Sequence, residues 1–267
     1  MYIEIIKGVS AAAKKKGNYL HHSELQYILA SILAGFFVGI GTIMMTLSST
    51  IFFKVPIAFV SFTNGIVFSL GLTFVIFAGG ELFTGNVLVS SIGLLNKILS
   101  FEKFIKILIY SYIGNFIGAI ILSYFFSKTA LTDNYLNALS TLVTTKTSYD
   151  FMTLVFKGIL CNILICIGVA SCTRKISDSA KLIMIFWVIF AFVSLGFEQS
   201  VANMTLFAVA KFLDPNLSIS TIASNLVPVT IGNIIGGGLL AIMYYFLEDK
   251  KYRDQRLNKE LPDDYEI

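Results

Sequence analysis

Phe77-Ala-Gly-Gly-Glu-Leu-Phe-Thr-Gly-Asn86 ends an apolar run that reaches back to Val55, and it sets a carboxylate where lipid-facing helix would otherwise continue. Burying an unpaired ion in hydrocarbon costs at least about 2.5 to 3.5 kcal/mol on insertion scales, so Glu81 has to face protein or water. Gly79, Gly80 and Gly85 flank it and disfavour helix. A broken helix frees backbone N–H and C=O groups, which membrane depth tolerates only where protein or a cavity satisfies them. Glu198-Gln-Ser-Val-Ala-Asn203 repeats the pattern, with Glu and Asn again five residues apart and Ser194 and Gly196 just before. The two glutamates are displaced by 117 residues, and Gly114-Asn115-Phe-Ile-Gly118 against Gly232-Asn233-Ile-Ile-Gly236 gives 118. Two motifs that agree on one offset predict an internal duplication.

The rest of the chain fits a lipid solvent. Hydrophobic residues are 56% of 267 positions, charged ones 13%, and the mean hydropathy is +0.79, far from the balance of a soluble domain. A spanning helix needs about 20 mostly apolar residues. Leu25 to Phe53, Val55 to Gly80, Ile107 to Ser127 and Asn216 to Leu247 qualify without a charge; Phe151 to Ser171 and Leu182 to Ala210 qualify with polar interruptions. The expected fold is an all-α membrane protein of six transmembrane helices in two three-helix repeats, with the second and fifth helices broken. Three helices per repeat is an odd number, so the second copy enters from the opposite side and the repeats are inverted.

With both ends inside, 15 of the 20 Lys and Arg residues fall in inner segments, which predicts a multi-pass protein of the cell membrane with cytoplasmic termini. The outer or boundary set is Lys54, Lys128, Lys146, Lys157 and Lys211. Lys14, Lys15 and Lys16 precede a first apolar run too long for a cleaved signal peptide. The division expected is a cytoplasmic N-terminal segment over 1–20, amphipathic through Ile3, Ile5, Ile6 and Val9, a transmembrane domain over 21–248, and a charged cytoplasmic tail over 249–267. The net charge of +4 is spread along membrane flanks and calls for no nucleic-acid partner. Cys161, Cys166 and Cys172 have no metal-ligand spacing and read as buried small apolar residues; His21 and His22 read as an interfacial pair. No metal, cofactor or catalytic residue is expected.

Phe77 to Asn86, Gly196-Phe-Glu-Gln-Ser-Val-Ala-Asn-Met204 and Pro228-Val-Thr-Ile-Gly-Asn-Ile-Ile-Gly-Gly237 together resemble the formate/nitrite transporter family, over about residues 20 to 248. The resemblance implies an aquaporin-like protomer with its own pore, assembled as a homopentamer and selective for small monovalent anions; hydrosulfide and lactate carriers belong to the same family. By motif position Leu72 and Phe192 match apolar constriction residues, with Phe68 and Phe83 as neighbours. Thr84 matches the threonine of the second-helix break. Lys146, 16 residues before Asn162, matches the basic residue of the outer vestibule, and Asn162 and Asn233 match pore-side asparagines. For the phenylalanines, ordinary helix packing is the plain alternative. For Glu81 and Glu198 it is support of the helix break rather than contact with solute.

One position departs from that family. A histidine usually follows the fifth-helix glutamate, and here the residue is Gln199. A glutamine amide offers hydrogen bonds without changing charge, which excludes a proton relay through this side chain. An apolar constriction opposes a bare ion more than a neutral acid. The expected route therefore has Lys146 drawing the anion in, protonation from solvent, and passage as neutral acid past Leu72 and Phe192, with Thr84, Gln199 and Asn203 supplying hydrogen bonds. The alternative is a pore for neutral solutes such as water or glycerol, although neither half carries Asn-Pro-Ala. An intramembrane enzyme using Glu81 or Glu198 as acid or base is disfavoured by their symmetrical placement.

Overall fold

A computed structural model describes residues 2–51 and 57–248. Lys54 and the tail expected over 249–267 lie outside the described residues. Among the described residues the chain is helical throughout: α1 (Tyr2–His22), α2 (Glu24–Ile51), α3 (Ile57–Phe74) running into a π turn (Val75–Gly79), α4 (Phe83–Leu95), α5 (Phe101–Ser127), α6 (Asp133–Thr147), α7 (Phe151–Cys172), α8 (Asp178–Ser194), α9 (Ser200–Leu213) and α10 (Ile219–Leu247). Five of these are long and apolar enough to cross a membrane, the second formed by α3 with its π turn. The last expected span but one is divided between α8 and α9, each too short alone. The third span starts at Phe101 rather than Ile107, because Ser100 caps it by accepting the Lys103 N–H.

Helix starts separate into two kinds. Ser100, Thr132, Asp150, Ser177 and Ser218 each cap their own helix with a side-chain oxygen. α4 and α9 begin after Leu82 and Gln199, which supply no side-chain cap. Their free N–H groups need partners from elsewhere in the chain.

Two helix pairs share one packing geometry. A Cβ on Gly118 of α5 would lie 2.0 Å from the Ile32 carbonyl oxygen of α2, and one on Gly236 of α10 would lie 2.3 Å from that of Ile159 of α7. Only glycine allows so close an approach. Ile32 and Ile159 are displaced by 127 residues, as are Ser23 and Asp150, which cap α2 and α7 by accepting the N–H of Gln26 and Thr153. The correspondence therefore includes the preceding helices, α1 and α6.

α1 is a full helix: Ile6 is buried, and Val9, Ala13 and Leu20 are buried in one cluster with Leu88, Ile92, Leu99 and Ile107. His21 and His22 end it, exposed. Cys161 and Cys166 are buried as expected, whereas Cys172 is only half-buried. Phe62, Phe125, Phe156, Trp187 and Phe246 are each more than half exposed, which suits side chains whose solvent is lipid.

Candidate functional site: two braced helix breaks and an outer cavity

The backbone leaves helix at Gly80 to Leu82 and again at Leu195 to Gln199. Both exits pass through a glycine at positive φ, Gly79 at +87° and Gly196 at +67°, a region other residues adopt at a cost. Asparagines from distant helices supply the missing caps. Asn115 Oδ1 accepts the Phe83 N–H at 2.9 Å while its Nδ2 donates to the carbonyls of Ser31 (2.7 Å) and Glu81 (3.0 Å). Asn233 does the same for α9, accepting from Ser200 N at 2.9 Å and donating to Gly158 (2.9 Å) and Glu198 (3.0 Å). Each amide thus satisfies an N–H and a C=O at its broken helix and ties them to a carbonyl of an unbroken neighbour, Ser31 of α2 or Gly158 of α7.

The glutamates complete the braces. Glu198 is 3% exposed, and Lys146 Nζ donates to both of its oxygens at 2.9 and 2.8 Å. Asn203 donates to Glu198 at 2.6 Å and to Asn225 Oδ1 at 2.8 Å, and Asn225 reaches the Lys146 carbonyl at 2.8 Å. In the first half Glu81 Oε2 accepts from Lys16 (2.6 Å), Tyr27 (2.9 Å) and Asn86 (3.0 Å). Both carboxylates are paired and hydrogen-bonded, the condition for holding such a charge inside. Sequence reasoning paired the glutamates but missed their cations as a pair: Lys16 is hidden in a run of three lysines. Tyr27 and Asn225 carried no signal at all.

α2 runs past both broken spans. Ala30 of α2 accepts the Glu81 N–H at 3.1 Å, and Thr42 of α2 donates to the Ala202 carbonyl of α9 at 3.5 Å. Those two positions are twelve residues apart, roughly 18 Å along a helix. Between them the short helices approach start to start: Gln199 Nε2 donates to Thr84 Oγ1 at 3.3 Å. Gln199 Oε1 is buried with no partner, and a half-turn of the amide would present its N–H₂ there instead. Two helix N-termini face this point, and each carries partial positive charge.

On the Lys146 side a cavity of about 440 Å³ opens, walled by Thr42, Ser49, Asn64, Phe68, Thr145, Lys146, Tyr149, Phe192, Gly196, Glu198, Gln199 and Asn203. It brings together six of the residues expected from sequence: Phe68, Lys146, Phe192, Glu198, Gln199 and Asn203. Phe68 and Phe192 meet there edge to face, ring centroids 5.7 Å apart. Leu72 and Phe83 are buried in the same apolar cluster, and Phe83 packs edge-on against Tyr112 at 4.9 Å. Asn162 and Asn233 stand behind the wall: Asn162 donates to the Asn233 carbonyl at 2.6 Å and its Oδ1 has no partner. Among the described residues no cluster of His, Cys, Asp or Glu could hold a metal.

Fold and site define a multi-pass helical membrane protein organised around a buried polar seam, and the comparisons place it. The family model described as formate/nitrite transporter matches residues 3–247, so α1 is part of the matched region. The chain is 31% identical over 252 residues to the uncharacterized transporter YwcJ of Bacillus subtilis, covering 92% of this chain and 98% of that one. It is 30% identical over 259 residues to the nitrite transporter NirC of Escherichia coli, covering 95% of each. Among solved structures it is similar to an FNT family ion channel (TM-score 0.84, 28% identity, 92% of this chain and 99% of that one) and to a pentameric formate channel with formate bound (0.74, 28%, 84% and 96%). The chain belongs to the formate/nitrite transporter family. Its activity is membrane transport, not catalysis.

Proposed function

We propose that the protein conducts small monovalent anions of weak acids, formate and nitrite among them, and that they cross the apolar constriction as the neutral acid. The polar junction of Thr84 and Gln199 carries this reading. It is a lone hydrogen-bonding station between two helix N-termini, beside the rings of Phe68 and Phe192. A neutral acid can donate its O–H to the unpartnered Gln199 oxygen, and a bare ion cannot; the positive helix ends favour the anion on either side. Lys146 spends two N–H groups on Glu198 and offers the third to solute in the cavity. Asn203, Asn162 and Asn233 hold the path's walls, with Leu72 and Phe83 extending its apolar part. Glu81 and Glu198 support the helix breaks.

In this reading the six spans form two inverted repeats in an aquaporin-like protomer, α3/α4 and α8/α9 being the broken second and fifth. Five protomers assemble, as in the similar pentameric formate channel. The chain sits in the cell membrane with both termini cytoplasmic, in accord with its basic inner segments.

Uptake of formate, nitrite, acetate and lactate into proteoliposomes at two pH values tests the route. Uptake should rise with the protonated fraction of each acid, and Lys146→Ala should lower it. Gln199→His should add an inflection near the imidazole value of about 6.5. Flux that follows anion concentration and ignores pH overturns neutral-acid passage; swelling with glycerol but no acid uptake would replace the anion reading by a neutral-solute pore.

A further inference from the structure

The lysine that a carboxylate holds leaves little net charge at the outer mouth. Lys146 and Glu198 form a close pair, 15% and 3% exposed, whose charges cancel for any solute more than a few ångströms away. Lys157 of α7 is different. Its Nζ donates to the Gly196 carbonyl at 2.8 Å and lies 4.1 Å from the centroid of the Tyr149 ring, and both of those residues wall the cavity. Neither contact neutralises it: a ring face and a helix-terminal carbonyl offer only partial negative charge. Asp150 keeps its charge, but it caps the start of the same helix two turns away, with its oxygens turned to the Thr153 N–H and hydroxyl.

The fold has no need of a lysine here. The Lys157 carbonyl accepts the Glu198 N–H at 3.3 Å, and at the mirrored place the Ala30 carbonyl accepts the Glu81 N–H at 3.1 Å. An alanine performs the same backbone task, and the turn at Gly79 stands with no side chain reaching over it. The Lys157 ammonium is additional to the duplicated architecture. Resting on the anion reading above, we infer that Lys157 is the uncompensated charge that concentrates anions at the outer cavity, while Lys146 acts as a local hydrogen-bond donor within it. A cation at a low-dielectric mouth raises the local concentration and entry rate of anions, and salt screens the effect.

A thiol at the exposed cavity residue Thr145 reads the local potential without any transport. In Thr145→Cys, the rate of modification by an anionic methanethiosulfonate is divided by that of a cationic one, with the parent protein as blank for the native cysteines. Lys157→Gln should lower this ratio about three- to five-fold at low salt, Lys157→Arg should restore it, and high salt should bring all forms together. Formate uptake at low external concentration should fall in parallel, with the saturated rate unchanged. A ratio that Lys157→Gln does not move, or that Lys157→Arg fails to restore, overturns the inference; Lys157→Met serves if the glutamine variant does not assemble. A ratio that falls in a protein whose parent moves no weak acid upholds the charge and sinks the anion reading alone.

Discussion

The break at Glu81 and the break at Glu198 are built to one plan and finished differently. Each has a positive-φ glycine, a glutamate held by a lysine of α1 or α6, an asparagine five residues on, and a distant asparagine that caps the restarted helix. What differs is side chains on which the backbone support does not depend. Leu82 corresponds to Gln199, Ala30 to Lys157, and Val75 to Phe192. The shared part satisfies groups that a membrane cannot, and its loss leaves donors and acceptors stranded. The unshared part is free to vary, and in the proposed route it supplies the polar station, the anion-attracting charge and an aromatic of the constriction.

Unequal burial predicts the largest departure from that symmetry. Lys146→Met strands a carboxylate that is 3% exposed, and breaking a buried pair this way costs about 3–5 kcal/mol. Lys16→Met leaves Glu81 at 12% exposure with donors from Tyr27 and Asn86, and the loss should be about 1–2 kcal/mol. Heating the detergent-solubilised protein and following the assembled peak by size exclusion compares the two, and Glu198→Gln beside Lys146→Met should recover part of the loss. Equal losses would break the comparison. Next come the capping asparagines: Asn115→Ala and Asn233→Ala each leave an N–H and a C=O of the break without a partner and should each cost about 2–4 kcal/mol in the same assay. Tolerance of one and not the other would mean that the breaks are not equivalent supports.

Much of this plan can be read from residues alone, because the strongest rule of the membrane acts on them directly. A glutamate amid apolar residues, two glycines and a repeated offset lead to Glu81, Glu198, Asn115 and Asn233. What hides is whatever a short or half-polar helix carries. α6 is too polar to read as a span, although Thr132 caps it and Tyr135, Ala138 and Leu139 bury one face. α1 reads as a lead segment because its lysines dilute the pattern of Ile6, Val9, Ala13 and Leu20. With those helices went their place in the duplication, and so Lys16 as counterpart of Lys146. Tyr27 and Asn225 answer to neither period nor motif; only the folded geometry brings them to a carboxylate.

The smallest difference lies where the repeats begin. Ser23 and Asp150 both cap the helix that follows, but only Asp150 titrates. Hydrogen bonds from the Thr153 hydroxyl and then its N–H hold the Asp150 carboxyl below the ordinary value. Its contribution to the junction is therefore complete above the unfolded value near 4 and is lost as the pH falls through the lower folded one. The start of α7 should loosen in acid and the start of α2 should not. Amide exchange at Thr153 relative to Gln26 should quicken between about pH 5 and pH 3. In Asp150→Ser the two amides should keep a constant ratio across that range, because serine caps without ionising. Parallel loosening of both junctions in the parent protein would place the acid response in the bundle as a whole and remove this last asymmetry between the halves.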